Sequence, residues 1–356
     1  MKNWFIFIAI SLLFFSCDDE LKSTEENAIF DRISLLTSVA DNHAIPEYKN
    51  FVADVSIMVT TKNTFIADKT EANLIAFRKA YLKAYTSFQP VAKYDFSLAQ
   101  DVNFYQNLNA HPFRLANFES FILNQNNQNL ESVLNQDRQG FPAIDYLING
   151  LSTSDTDILE FYTGKNAIDY TTFLSKIVDR INTLSTNVAI DWEKNLRASF
   201  ISDGAFLNIF VNSYIQYFEK RLRSSKIDFP AGKFDGSPSP EQIESVFKPE
   251  ESKALLIEAL ESSRTLYTGV SAEVDSLSKV LITLGEEGLD AQIKLKFLEA
   301  LNIVKSLNDN LKLQVETDNT KMLEARDALQ EIVRLLKIDL TSKLNIAITF
   351  QDNDGD

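Results

Sequence analysis

Few residues in this chain are equipped for chemistry. His43 and His111 are the only histidines and Cys17 is the only cysteine. A zinc hydrolase uses three protein ligands and an open position for water. Any transition metal here would therefore draw mostly on carboxylates. No H-E-x-x-H sequence puts two histidines one helical turn apart, and three methionines with two histidines disfavour haem ligation. His111 directly precedes Pro112 and His43 stands close to Pro46, positions where a structural hydrogen bond is the plainer role. Gly140-Phe141-Pro142-Ala143-Ile144-Asp145 reads as an irregular, turn-like stretch that delivers a carboxylate. Asp145 then caps a helix, pairs with an arginine, or faces a site, while Gly140 and Pro142 set the local backbone. Arg221 and Arg223 close a helix that begins near Gly204, where cations complement the dipole. An arginine there can also grip carboxylate or phosphate bidentately. Asp352, Asp354 and Asp356 alternate beside Gly355. Calcium favours such oxygens, but a twelve-residue loop is not completed and an acidic tail is the default.

Cys17 carries a different chemistry. Lys2 is followed by an almost unbroken apolar run from Trp4 to Phe15, and Ser16 precedes the cysteine. The run suits a signal-peptide core better than a membrane span. Leu13-Phe14-Phe15-Ser16-Cys17 resembles a bacterial lipobox, in which the cysteine is diacylated and becomes the new N-terminus. Residues 1–16 are thus expected to be removed, with Cys17 lipidated and 17–27 a polar tether. The acyl chains would hold the protein to a membrane through buried methylenes. The expected location is the cell envelope, on the outer membrane or its periplasmic face, or at the cell surface. The mature chain would then have no disulfide and no thiolate.

About 340 residues remain, enough for one large or two modest domains. The net charge is −15 without a basic cluster, which argues against nucleic acid as a partner. The elements that must position the candidates read as helical nearly throughout. Pro249 to Leu284 keeps one apolar stripe through Leu256, Leu260, Tyr267, Val270, Leu277 and Leu281. Leu289 to Leu311 and Met322 to Leu340 repeat the spacing, and Tyr170 to Val188 offers a fourth stripe. Short connections between such helices imply antiparallel neighbours in a bundle. Helices are also expected at about 27–60 and 71–88, the latter with an aromatic face of Phe77, Tyr81, Tyr85 and Phe88, ended by Pro90. Residues 228–240 are too rich in Pro and Gly for a regular helix.

The segment Gly140-Phe141-Pro142-Ala143-Ile144-Asp145-Tyr146-Leu147 resembles the signature region of the imelysin-like family, usually Gly-x-His-x-x-Glu followed by an aromatic and leucines. Pro112 to Glu119, Lys220 to Gly232 and the ending Ile348 to Asp356 are similar to further parts of that family, in the same order. The resemblance implies an all-α protein of two packed helical domains, the second an antiparallel four-helix bundle. With it, residues 28–165 form the first domain and 166–356 the second, with an irregular excursion at 228–240. It also implies a site at the domain interface, and it links many members to iron uptake. Here the motif histidine is Pro142 and the motif glutamate is Asp145, so the segment cannot supply a histidine ligand.

The function these features favour is a non-catalytic, membrane-anchored binding protein for a small ligand or an envelope partner, within iron or metal acquisition. Its candidate ligand-binding residues are Gly140, Pro142, Asp145, His111, Arg221 and Arg223. Iron or another divalent metal is the candidate cofactor. A degenerate zinc-type metallopeptidase and a structural envelope scaffold are the alternatives.

Overall fold

A computed structural model describes residues 30–125 and 128–351. The expected signal peptide, Cys17, the tether and the aspartates from Asp352 onward lie outside the described residues. Every regular element among the described residues is helical, and none of those helices is long and apolar enough to cross a membrane.

The first helices form because caps and stripes agree. The Asp31 carboxylate accepts from Ser34 N–H to open Arg32–Ser38, and the chain winds on through Val39–Ala44 into α1 (Ile45–Ala67). Pro46 lies in the first turn of α1, inside the winding that continues from Val39–Ala44. Thr70 caps α2 (Glu71–Val91) by accepting from Asn73 N–H. Leu74, Phe77, Tyr81, Tyr85 and Phe88 are all fully buried on one face of α2, which packs along α1.

The signature segment is helical, not an irregular turn. It forms α3 (Gly140–Asp145), which continues directly into the wider turns of Tyr146–Gly150. Pro142 sits in the first turn of α3, where a helix tolerates it. Gly140 has φ +75, and a Cβ there would lie 2.2 Å from the Leu108 carbonyl oxygen. The glycine thus admits the close approach of the 104–109 helix. Phe141 holds α3 to the core. Its ring stacks on Tyr85 at 4.5 Å and 7°, with Phe88 at 5.5 Å, Tyr81 at 6.0 Å and Phe51 at 6.3 Å.

α4 (Ala167–Asp191) packs on α1 and α3. Its stripe, Tyr170 to Val188, therefore serves the first group of helices and not the C-terminal group. A stripe shows which face is buried without naming the neighbour. The C-terminal group draws instead on α5 (Ala205–Gln216), which runs on through wide turns over Tyr217–Asp228. It also contains α6 (Ser252–Thr268), α7 (Glu287–Ser306) and α8 (Asn319–Arg334). The 217–228 segment touches α6 and α8, α7 touches both of these, and α6 also packs on α2. The expected long helix from Pro249 to Leu284 is interrupted. Gly269 takes φ +86 after α6, Val270 is half exposed, and Ser276 caps a separate helix at Leu277–Thr283.

Truncating the ring that fixes the signature helix should be costly. Phe141→Ala is expected to lose about 3–5 kcal/mol, read as a lower midpoint in urea unfolding with little change in slope.

Candidate functional site

Asp145 ends α3 and is buried. Its carboxylate accepts from Asn149 Nδ2 at 2.9 Å, one turn further on, and from the Phe247 backbone N–H at 3.0 Å. Those donors favour the charged form, but burial outweighs them and pushes the pKa up to about 6. Glu251 lies on the same connection as Phe247. Burial, then the neighbouring Asp145 charge, pushes its pKa up to about 7. Ser245 Oγ donates weakly to Glu251 at 3.5 Å. Asp145 thus neither caps a helix by its side chain nor pairs with an arginine. It clamps the 241–251 connection onto the signature helix.

Beside this clamp lies a cavity of about 300 Å³. One wall is His111, Phe113 and Leu115, a second is Pro142 and Asp145, and a third is Glu241, Ile243 and residues 245–247, with Lys312 at the edge. His111 Nε2 bonds the Gln242 carbonyl oxygen, and burial lowers the imidazole's pKa against the opposing pull of Glu244. Beneath it the Glu244 carboxylate accepts from Lys226 Nζ, from Asn109 Nδ2 at 2.8 Å and from Gln89 Nε2 at 3.4 Å, all buried. Burial raises the Glu244 pKa, but Lys226 and Asn109 prevail and hold the carboxyl below its usual range.

Of the residues singled out in the sequence, His111, Pro142 and Asp145 meet at this cavity. Gly140 acts through its backbone on the far side of α3. Arg221 lies elsewhere, its guanidinium 4.3 Å from the Tyr105 ring centre, in a small crevice with Asp95 and Lys220. Arg223 is fully buried and donates to Asp228 at 3.2 Å. His43 is buried 3.9 Å from Glu47, and burial together with Lys93 lowers its pKa to about 4. Phe247, Ser245, Glu251, Glu244 and Lys226 escaped the sequence reading. They reach the site from about 100 residues away in the chain, and no local spacing marks them.

The residues present do not fit a zinc hydrolase centre. Pro142 offers no ligand, so Asp145 would be the signature segment's single side-chain donor to a metal. Among the described residues no three His, Cys, Asp or Glu side chains converge as a metal set.

The Imelysin (Peptidase_M75) family model matches residues 44–337. The chain belongs to the imelysin family. A crystal structure described as an iron-regulated protein A precursor from Parabacteroides distasonis ATCC 8503 is similar at TM-score 0.72 and 14% identity. That match covers 91% of this chain and 97% of the other. An imelysin-like protein from Psychrobacter arcticum 273-4 is similar at TM-score 0.68 and 16% identity, over 91% and 99%. At these identities the likeness establishes the imelysin fold. No curated protein sequence matches.

Titration of the two carboxyls sets a direction for stability. Both have folded pKa values above their unfolded ones. Their contribution is complete below about pH 4 and is lost as pH rises through about 6 and 7. Glu251→Gln removes one of the two charges. It should raise the melting temperature by a few degrees at pH 8, on the order of 1–2 kcal/mol, and change it little at pH 4 in scanning calorimetry.

Proposed function

We propose that this imelysin-family protein is a non-catalytic binding protein of the cell envelope. Its site is the cavity between the signature helix and the 241–251 connection. One observation carries the reading. The signature position that would offer a histidine is Pro142, and the carboxylate beside it is fixed by two N–H donors inside a mostly apolar cavity. Such a wall recognises a ligand. Of the other polar groups in its lining, His111 is engaged by the Gln242 carbonyl and Ser245 by the Lys248 carbonyl and Glu251. A concave apolar pocket with few fixed polar groups is the usual form of a small-molecule site.

Membership of the family, and a fold shared with a protein described as iron-regulated, support a link to iron acquisition. The lipobox-like Leu13 to Cys17 supports a lipid anchor at Cys17, on the outer membrane or its periplasmic face. The two helical groups and the wall they share support a domain-interface site, as does the contribution of the 241–251 connection to it. An envelope protein that receives the bound ligand fits the same placement.

Two measurements test this. Elemental mass spectrometry of the purified protein, before and after incubation with iron and zinc, is expected to find no stoichiometric metal. One metal per chain, lost in Asp145→Ala, would restore the metallopeptidase reading. For the anchor, wild-type protein is expected in the detergent phase after Triton X-114 partition. Cys17→Ser should remain an uncleaved precursor that incorporates no labelled palmitate, and labelling of that variant would refute lipidation at Cys17.

A further inference from the structure

The cavity lining narrows what could bind, and this step rests on the cavity being the binding site. Phe113, Leu115, Pro142, Ile243, Val246 and Phe247 make its walls apolar. Asp145 and Ser245 are the buried polar groups among them, and the Ser245 hydroxyl helps to hold the carboxylate charged. Each carboxylate oxygen of Asp145 accepts one N–H. An ionised carboxylate has about four acceptor directions, so after these two N–H groups and the Ser245 hydroxyl at least one remains unused. No lysine or arginine lies within ion-pair distance of it among the described residues.

The groups around Asp145 do not supply a compensating charge. Glu251 from the start of α6 adds a like charge, and Lys248 opposes both from a distance. From α2 comes the Tyr81 phenol, which donates to the Phe141 carbonyl at 3.3 Å. Glu244 and Lys226 neutralise one another, and burial disfavours a charge on His111. Lys312 and Glu241 also belong to the lining and carry opposite charges. The balance around Asp145 is therefore negative, in a surrounding that solvates charge poorly.

We infer that the cavity takes a small organic cation, an ammonium group set against Asp145 and an apolar or aromatic body packed on Phe113 and Phe247. The ammonium supplies the charge the carboxylate lacks, and it donates an N–H into the unused acceptor direction. Phe113 and Phe247 stand edge to face at 6.1 Å, and aromatic faces attract ammonium groups as well as apolar bodies. A volume of about 300 Å³ is at the small end for ligand pockets and suits a single ring with a short amine arm. An anion would meet the Asp145 carboxylate in the lining, with Glu251 adding like charge close by. A bare metal ion would meet hydrocarbon on most sides.

Binding of three probes of one size is measured by ligand-observed NMR on the full-length protein, with detergent-matched blanks. The probes are 2-phenylethylamine, 2-phenylethanol and 3-phenylpropionate. At pH 8 the amine is expected to bind at least tenfold tighter than the other two. Its affinity should fall about tenfold between pH 8 and pH 5, as Asp145 takes up a proton. Asp145→Asn should abolish the preference for the amine, and Glu251→Gln should move the pH profile to lower pH. If Asp145→Asn does not fold, the wild-type pH series and Glu251→Gln still decide. Alcohol or propionate binding as tightly as the amine would overturn the cationic class while leaving the cavity a binding site. Amine binding that ignores pH would also overturn it. Failure of all three probes to bind would overturn the site itself.

Discussion

The buried contact of Lys226 with Glu244 is the constraint on which the site depends. Residues 241–251 have little regular structure of their own, yet they supply the Gln242 carbonyl, the Phe247 N–H and the Glu251 carboxyl. Glu244 fixes this stretch by entering a pocket of donors drawn from three other parts of the chain, Lys226, Asn109 and Gln89. Removing any single partner would leave a buried charge or dipole unmet, which costs several kcal/mol. Replacing the whole set by hydrocarbon could be neutral for stability. The pair is therefore better understood as fixing position than as adding stability. It sets where the connection crosses the signature helix, and the cavity beside Asp145 is the space that this crossing leaves.

The same logic extends through the wide turns of 217–228. Glu219, Arg223, Lys226 and Asp228 are all buried there, facing Lys337, Asp228 itself, Glu244 and Arg326 respectively. An amphipathic helix of ordinary pitch would present such charges on one solvated face. The wider winding fans them toward α8 on one side and the 241–251 connection on the other. This segment thereby joins the C-terminal group of helices to the signature region. Wide turns of this kind are frequent at functional sites.

Much of the fold could be read from the chain. The stripes of α2, α7 and α8 announced their buried faces through simple periodicity, and residues such as Phe297, Leu329 and Leu336 are fully buried as that spacing required. The helical nature of 140–145 was hidden because glycine and proline, usually breakers, both stand where a helix begins. The break at Gly269 was hidden for the opposite reason, since apolar Val270 and Val274 continued the stripe that the backbone abandoned. Within the candidate site, Pro142 and Asp145 were visible through the family resemblance, and His111 as one of only two histidines. Arg221 and Arg223 were equally conspicuous in sequence, yet a stacked arginine and a buried ion pair use them for packing. The partners from 241–251 carry no local signal, because only the tertiary crossing gives them a role.

The close contact at Gly140 has a further meaning for how the molecule can change over time. A backbone oxygen occupies the place of a side chain there, so the position is closed to every other residue while the 104–109 helix stays where it is. The neighbouring signature positions have no such restriction. Residue 142 has only to suit a first helical turn, which a proline does as well as many others. The scaffold of the motif and its chemistry are thus held by different forces. One is steric and unforgiving, and the other depends on what the cavity is asked to hold. A lineage can therefore exchange the polar groups of this wall for a new ligand while the fold around them stays unaltered.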